Sequence, residues 1–126
     1  RMQVHHRGRW HEPSRWQEHK YTHACVRWKN YQLLRTDTCE QPDCPLCARI
    51  RRRAAARGHL GYSPNVEHYR MTQPGKWALY DIEADPFQEH NLATAQPEIR
   101  DKMAAHYEAW WAEVAPILAQ SAKRRE

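Results

Sequence analysis

Three cysteines, Cys39, Cys44 and Cys47, stand close together in a C-x4-C-x2-C pattern, with Cys25 upstream and His59 downstream. Thiolates this near one another can share a soft cation, and three of them with one further Cys or His complete a tetrahedral zinc site. In an oxidising compartment the same four cysteines would instead form two disulfides, which would place the chain in the periplasm or outside the cell. Either arrangement explains the spacing better than unlinked thiols do, and without a second C-x2-C the pattern does not choose between them. A second candidate lies at the start, where His5, His6, Arg7, Arg9 and Trp10 combine cationic donors with an aromatic face. Such a set can hold a sulfated or carboxylated sugar through charge-assisted hydrogen bonds and stacking. Strand alternation would send His5 and Arg7 to one side and His6 to the other, so only one set can face a ligand. The plainer reading of the same residues is an edge strand with solvated polar side chains.

The 126 residues carry a net charge of +5, and the excess is local. As far as Arg70 there are 14 Lys or Arg against 6 Asp or Glu, whereas the remainder has 6 against 9. A field of this kind suits an anionic partner: nucleic acid, an acidic glycan or an acidic neighbouring domain. The densest run, Arg49 to Arg57, reads RIRRRAAAR and fits an exposed basic helix. It contains no aromatic side chain on which a base could stack, so a solvated face is favoured over a nucleic-acid site. No apolar run approaches the roughly 18 residues of a membrane span, and no signal-peptide pattern is present. The start at Arg1 fits a fragment or a processed chain.

These residues need a frame, and the chain has the length of one small domain. Its low mean hydropathy of -1.04 leaves six Trp and six Tyr to provide much of the burial. MQVHHRGRW, from Met2 to Trp10, reads as a strand that breaks at Gly8. HACVRWKNYQLLR, from His23 to Arg35, reads as a hairpin turning at Lys29-Asn30, with Asn30 suited to a left-handed conformation. Trp77 to Ile82 reads as a further strand. Ile99, Met103, Tyr107, Trp110, Val114 and Ile117 recur at spacings of three and four, the stripe of an amphipathic helix. Pro97 and Glu98 suit its first turn, and Pro116 should end or kink it. On this face Trp110 is the core residue and Trp111 the more tolerant one. The pattern predicts an α+β fold, a small antiparallel sheet of three to four strands with the C-terminal helix across one face. The polar stretch at about 36–76 is a Cys-bearing insertion with local structure or disorder of its own.

Toward the C-terminus the residues resemble a known family. Leu79-Tyr80-Asp81, Asp85-Pro86, Asn91-Leu92 and Pro97-Glu98, followed by Trp110-Trp111 in the helix, are similar in order and spacing to the end of a formylglycine-dependent, arylsulfatase-like sulfatase of the alkaline-phosphatase superfamily. Upstream, Ala24-Cys25-Val26-Arg27 and Tyr31-Gln32-Leu33-Leu34 resemble that family's hairpin, and His5-His6-Arg7-Gly8-Arg9-Trp10 resembles the segment before it. Two positions depart from the usual pattern: Gln32 stands where the family commonly has Lys, and Gln88 where it commonly has Glu. The likeness spans nearly the whole chain outside the insertion.

The resemblance implies a sulfatase C-terminal subdomain that covers an N-terminal catalytic domain and flanks its substrate cleft. It also implies formylglycine and calcium in the intact enzyme, both held by the N-terminal domain. The C-x-P-x-R motif that yields formylglycine is missing here; CPLCAR at Cys44 to Arg49 has its Pro one place early and its Arg one place late. This chain alone should therefore hydrolyse no sulfate ester. Its expected partners are the catalytic domain and an anionic sulfated substrate such as a sulfated glycan, with neither nucleic acid nor membrane involved. The rival expectation is a standalone basic binding module for nucleic acid or acidic polymers, stabilised by zinc.

Overall fold

Alternating apolar residues on either side of one tight turn build the centre of the molecule. The structure, a computed structural model, describes residues 1–6, 13–39, 43–60, 72 and 75–125, with backbone alone at 13–15, 53–60 and 122–125. Strands β1 (Gln3–His6), β2 (Ala24–Trp28), β3 (Tyr31–Arg35) and β4 (Ala78–Asp81) form a four-stranded antiparallel sheet in the order β1-β2-β3-β4. A 3₁₀ helix, Pro13–His19, lies between β1 and β2. Helix α1 (Pro45–Leu60) stands within the insertion, and helix α2 (Pro97–Arg125) closes the chain. The expected α+β architecture is present.

The register explains the core. Val4 lies opposite Val26, Val26 opposite Leu33, and Leu33 opposite Leu79, so one row of aliphatic side chains crosses all four strands. Met103 and Tyr107 of α2, both fully buried, seal that row. Ile99 and Trp110 pack at its margins. The hairpin turn falls at Lys29-Asn30 as expected, but the positive φ, 55°, belongs to Lys29 rather than Asn30. Lys29 tolerates it with its ammonium 4.5 Å from the Trp28 ring centre.

Two expectations for α2 need correction. Trp111 is buried at 9% exposure while Trp110 is only partly buried, because α2 packs against the 3₁₀ helix as well as the sheet. Spacing of four from Met103 through Tyr107 to Trp111 rotates the buried seam toward that helix, where the Trp16 and Trp111 rings lie 5.8 Å apart. The second concerns Pro116: the helix does not end there but continues to Arg125. It sits on an exposed turn, where water can satisfy the carbonyl that loses its intrahelical donor. Beyond it the apolar stripe no longer meets the body, and Ile117 is 64% exposed.

Candidate metal centre

The β2–β3 hairpin determines which distant residues meet. Arg35 lies opposite Ala24 and Leu34 opposite Cys25. The two chains stay side by side past the strand ends, where Asp37 N–H donates to the Tyr21 carbonyl over 2.9 Å. There Thr22 N–H closes a turn onto the His19 carbonyl over 3.2 Å, which brings the end of the 3₁₀ helix to the stretch leading into Cys39. Arg35 steadies the exit from β3, donating to Asp37 over 2.9 Å while its guanidinium carbon lies 3.6 Å from the Tyr21 ring centre.

Past Cys39 the chain turns into α1. Pro45 occupies its first position, where a missing N–H costs nothing. Cys44 therefore stands at the helix entrance, and Cys47 lies in the first turn on the same side. Ala48 N–H donates to the Cys44 carbonyl over 3.0 Å, and Cys39 N–H donates to Cys47 Sγ over 3.1 Å. The result is a group of four buried side chains, His19, Cys39, Cys44 and Cys47, whose candidate ligand atoms all lie within 4.8 Å of one another. His19 Nε2 is 3.6 Å from Cys44 Sγ. In a tetrahedral zinc site with Zn–S near 2.3 Å and Zn–N near 2.05 Å, the N···S edge comes to about 3.6 Å. The group could hold a metal ion.

Its electrostatics have the same sense. Burial first, and then the neighbouring Cys39 and Cys44 thiols, push the Cys47 thiol up to about 12. Burial also opposes ionisation at Cys44, but hydrogen bonds from the Cys47 and Leu46 backbone N–H groups and from the Cys39 and Cys47 side chains hold it below the ordinary thiol value. The first negative charge in this pocket is thus welcomed and the next resisted, and a divalent cation would remove the resistance. Among the described residues, Leu46 and Ile50 cluster with the three cysteines, apart from the main core beneath α2.

The other sequence candidates disperse. No disulfide joins any of the four cysteines. Cys25 does not join the group; it sits in β2 between His5 and Leu34, and burial raises its thiol to about 11. The His59 side chain, and Arg7, Arg9 and Trp10, lie outside the described residues. His5 is exposed on the sheet face away from α2. His6 turns the other way, into an aromatic cluster with ring centres 5.6 Å from Trp110 and 5.3 Å from Trp111. Its Nε2 lies 3.2 Å from the carbonyl oxygens of both His19 and Lys20. His6 is therefore a packing residue, as strand alternation requires once His5 faces outward. His19 escaped the sequence reading because it is remote from the cysteines along the chain and is brought to them by the 3₁₀ helix and the turn after it, neither of which the pattern announced.

The polar residues between β4 and α2 serve the backbone. Asp81 Oδ1 accepts from the N–H groups of Glu83 and Ala84, each over 3.1 Å. Asp85 accepts from Glu89 and His90, and Asn91 Oδ1 accepts from Leu79 at 3.0 Å and Ala93 at 2.9 Å. The Ala84 N–H and the Asn30 side chain hold the Asp81 carboxyl below its ordinary value. On the sheet face away from α2, buried Gln32 donates through Nε2 to Oε1 of buried Gln88 over 3.0 Å, linking β3 to this segment. Behind α2, Glu108 accepts from Lys20 Nζ at 2.6 Å and from the Tyr21 hydroxyl. Burial opposes the Glu108 charge, but these two donors hold its carboxyl below the ordinary value.

No family model and no curated protein matches the chain. Among the described residues, no helix is long and apolar enough to cross a membrane.

Proposed function

We propose that the chain is the C-terminal subdomain of a sulfatase, a structural cover for a catalytic domain that supplies formylglycine and calcium and hydrolyses the sulfate ester. The observation that carries this reading is the Gln32–Gln88 hydrogen bond. These are the two positions at which the chain departs from the family pattern, Gln for Lys and Gln for Glu, and they are each other's partners. A buried ion pair and a buried amide pair can serve the same junction, whereas either exchange alone would strand a charge. Two compensating departures 56 residues apart support the likeness more strongly than two further matches would. The use of Asp81, Asp85 and Asn91 as backbone acceptors fits a subdomain that contributes scaffold rather than nucleophile.

For the buried group of four we propose zinc as the ion. Three thiolates with one imidazole, with no carboxylate in the group among the described residues, suit it better than calcium or magnesium, which take oxygen ligands. The functional test is to extend the reading frame upstream and express the whole protein. We expect a C-x-P-x-R or equivalent Ser segment and turnover of an aryl sulfate, with none from residues 1–126 alone. A full-length protein without such a segment would overturn the sulfatase reading and leave the basic binding module. Turnover by the 126-residue chain would overturn it as well.

A further inference from the structure

Three of the four residues in the candidate metal centre come from one short stretch, Cys39 to Cys47, and the fourth comes from elsewhere. His19 ends the 3₁₀ helix, which packs on α2 through Trp16 and Trp111. Its backbone is tied from both directions. Thr22 N–H donates to the His19 carbonyl over 3.2 Å, and the same carbonyl faces His6 Nε2 at the end of β1. The His19 imidazole thus belongs to the sheet and helix body while its Nε2 lies among thiols of the insertion. Among the described residues those thiols cluster with Leu46 and Ile50, separate from the core beneath α2.

We propose that the ion bound by His19, Cys39, Cys44 and Cys47 is a closed, purely structural centre that fastens the insertion to the body, with His19 as the fastening ligand. All four side chains are buried, with His19 at 2% and Cys47 at 0% exposure, so the set leaves no open position for a substrate or a reactive water. Ordering of the 3₁₀ helix and of the end of β1 then depends on the ion, because both meet at the His19 carbonyl. The inference rests on the zinc assignment above and is independent of the sulfatase reading.

The test uses the 126-residue chain, zinc and cobalt(II) as probes, and amide hydrogen exchange as the structural readout. The intact chain should bind one equivalent of zinc, and its cobalt form should show the intense d–d bands of a tetrahedral thiolate site. Cys25→Ser should change neither result. His19→Ala should weaken zinc by more than about 100-fold, since even the outer partners of a ligand typically contribute 10–100-fold. His19→Cys supplies a fourth thiolate and should keep both the fold and tight binding. Zinc should slow exchange at the 3₁₀ helix and β1 as well as at α1 in the intact chain and in His19→Cys, but only at α1 in His19→Ala. Absence of metal from the intact, reduced chain would overturn the zinc assignment itself. Wild-type affinity and undiminished 3₁₀-helix protection in His19→Ala would leave a metal site standing and overturn the fastening.

Discussion

The Gln32–Gln88 junction permits a decisive perturbation, replacement of one or both amides by the charged residues of the family pattern. Gln32 and Gln88 are 7% and 8% exposed, and their amides meet at 3.0 Å. Gln32→Lys alone places an ammonium in a buried site opposite a neutral amide, and Gln88→Glu alone does the same with a carboxylate. A buried charge without its partner costs about 3–5 kcal/mol, somewhat less where the remaining amide still offers a hydrogen bond. With both substitutions the charges attract, by about 5 kcal/mol at 3 Å and an effective dielectric near 20. That offsets most of the two desolvation penalties. We therefore expect each single variant to lose about 2–4 kcal/mol and the double variant to lie within about 3 kcal/mol of the parent, a coupling of several kcal/mol. Urea unfolding followed by circular dichroism would measure it, with unchanged m-values showing that the transition is the same. If the double variant loses the sum of the two singles to within about 0.5 kcal/mol, the junction does not accept an ion pair and the argument from paired departures collapses.

Trp111→Ala should cost about 3–5 kcal/mol, at least as much as Trp110→Ala, because Trp111 is the more buried of the two and packs against Trp16; a clearly smaller loss at Trp111 in urea melts would contradict the assigned seam. The folded-state pKa of Glu108 is lowered, so its contribution is present above its ordinary value of 4.5 and is lost as pH falls through the folded value. Because the Lys20–Glu108 pair is 27% and 43% exposed, Glu108→Gln should cost no more than about 1 kcal/mol at pH 7, and melts at successively lower pH below 4.5 should show the difference shrinking. Pro116→Ala should raise helicity and stabilise the chain by roughly 1–3 kcal/mol, since it restores a hydrogen bond on an exposed turn; an unchanged melting temperature would mean that the last turns of α2 do not unfold with the body.

Local pattern made much of the fold legible. The hairpin from Ala24 to Arg35 and the start of α2 at Pro97 are written in short-range signals, namely β-favouring residues around a turn and a proline-acid helix entrance. Where the sequence reading erred, a second element had intervened. Trp111 is buried because the 3₁₀ helix covers one flank of α2, and nothing in the stripe itself reveals that helix. Lys29 rather than Asn30 takes the left-handed conformation, since propensity ranks residues without knowing which turn position the strand register requires. In the candidate metal centre the three clustered cysteines were legible, whereas the fourth residue was sought along the chain at Cys25 and His59. Alternation within β2 turns Cys25 toward the sheet face shared with Leu34. His19 reaches the group through the 3₁₀ helix and the turn that follows it, which no local pattern announces.

The two pairings that organise this molecule share one logic, in which the hairpin brings polar residues remote in sequence into a place where neither can remain alone. Gln32 would leave a buried amide without its 3.0 Å partner if Gln88 were apolar, and three buried thiols near one imidazole resist joint ionisation unless a cation joins them. Both junctions attach a segment of little hydrophobic content to the same sheet. Gln88 secures the connection between β4 and α2, whose Asp and Asn side chains are spent on backbone N–H groups. The His19 group secures α1, whose described apolar support is limited to Leu46 and Ile50. His19 is the member of the metal group that comes from outside the insertion, so its loss should release the insertion and loosen the end of β1 while β2, β3 and β4 stay paired over the core beneath α2.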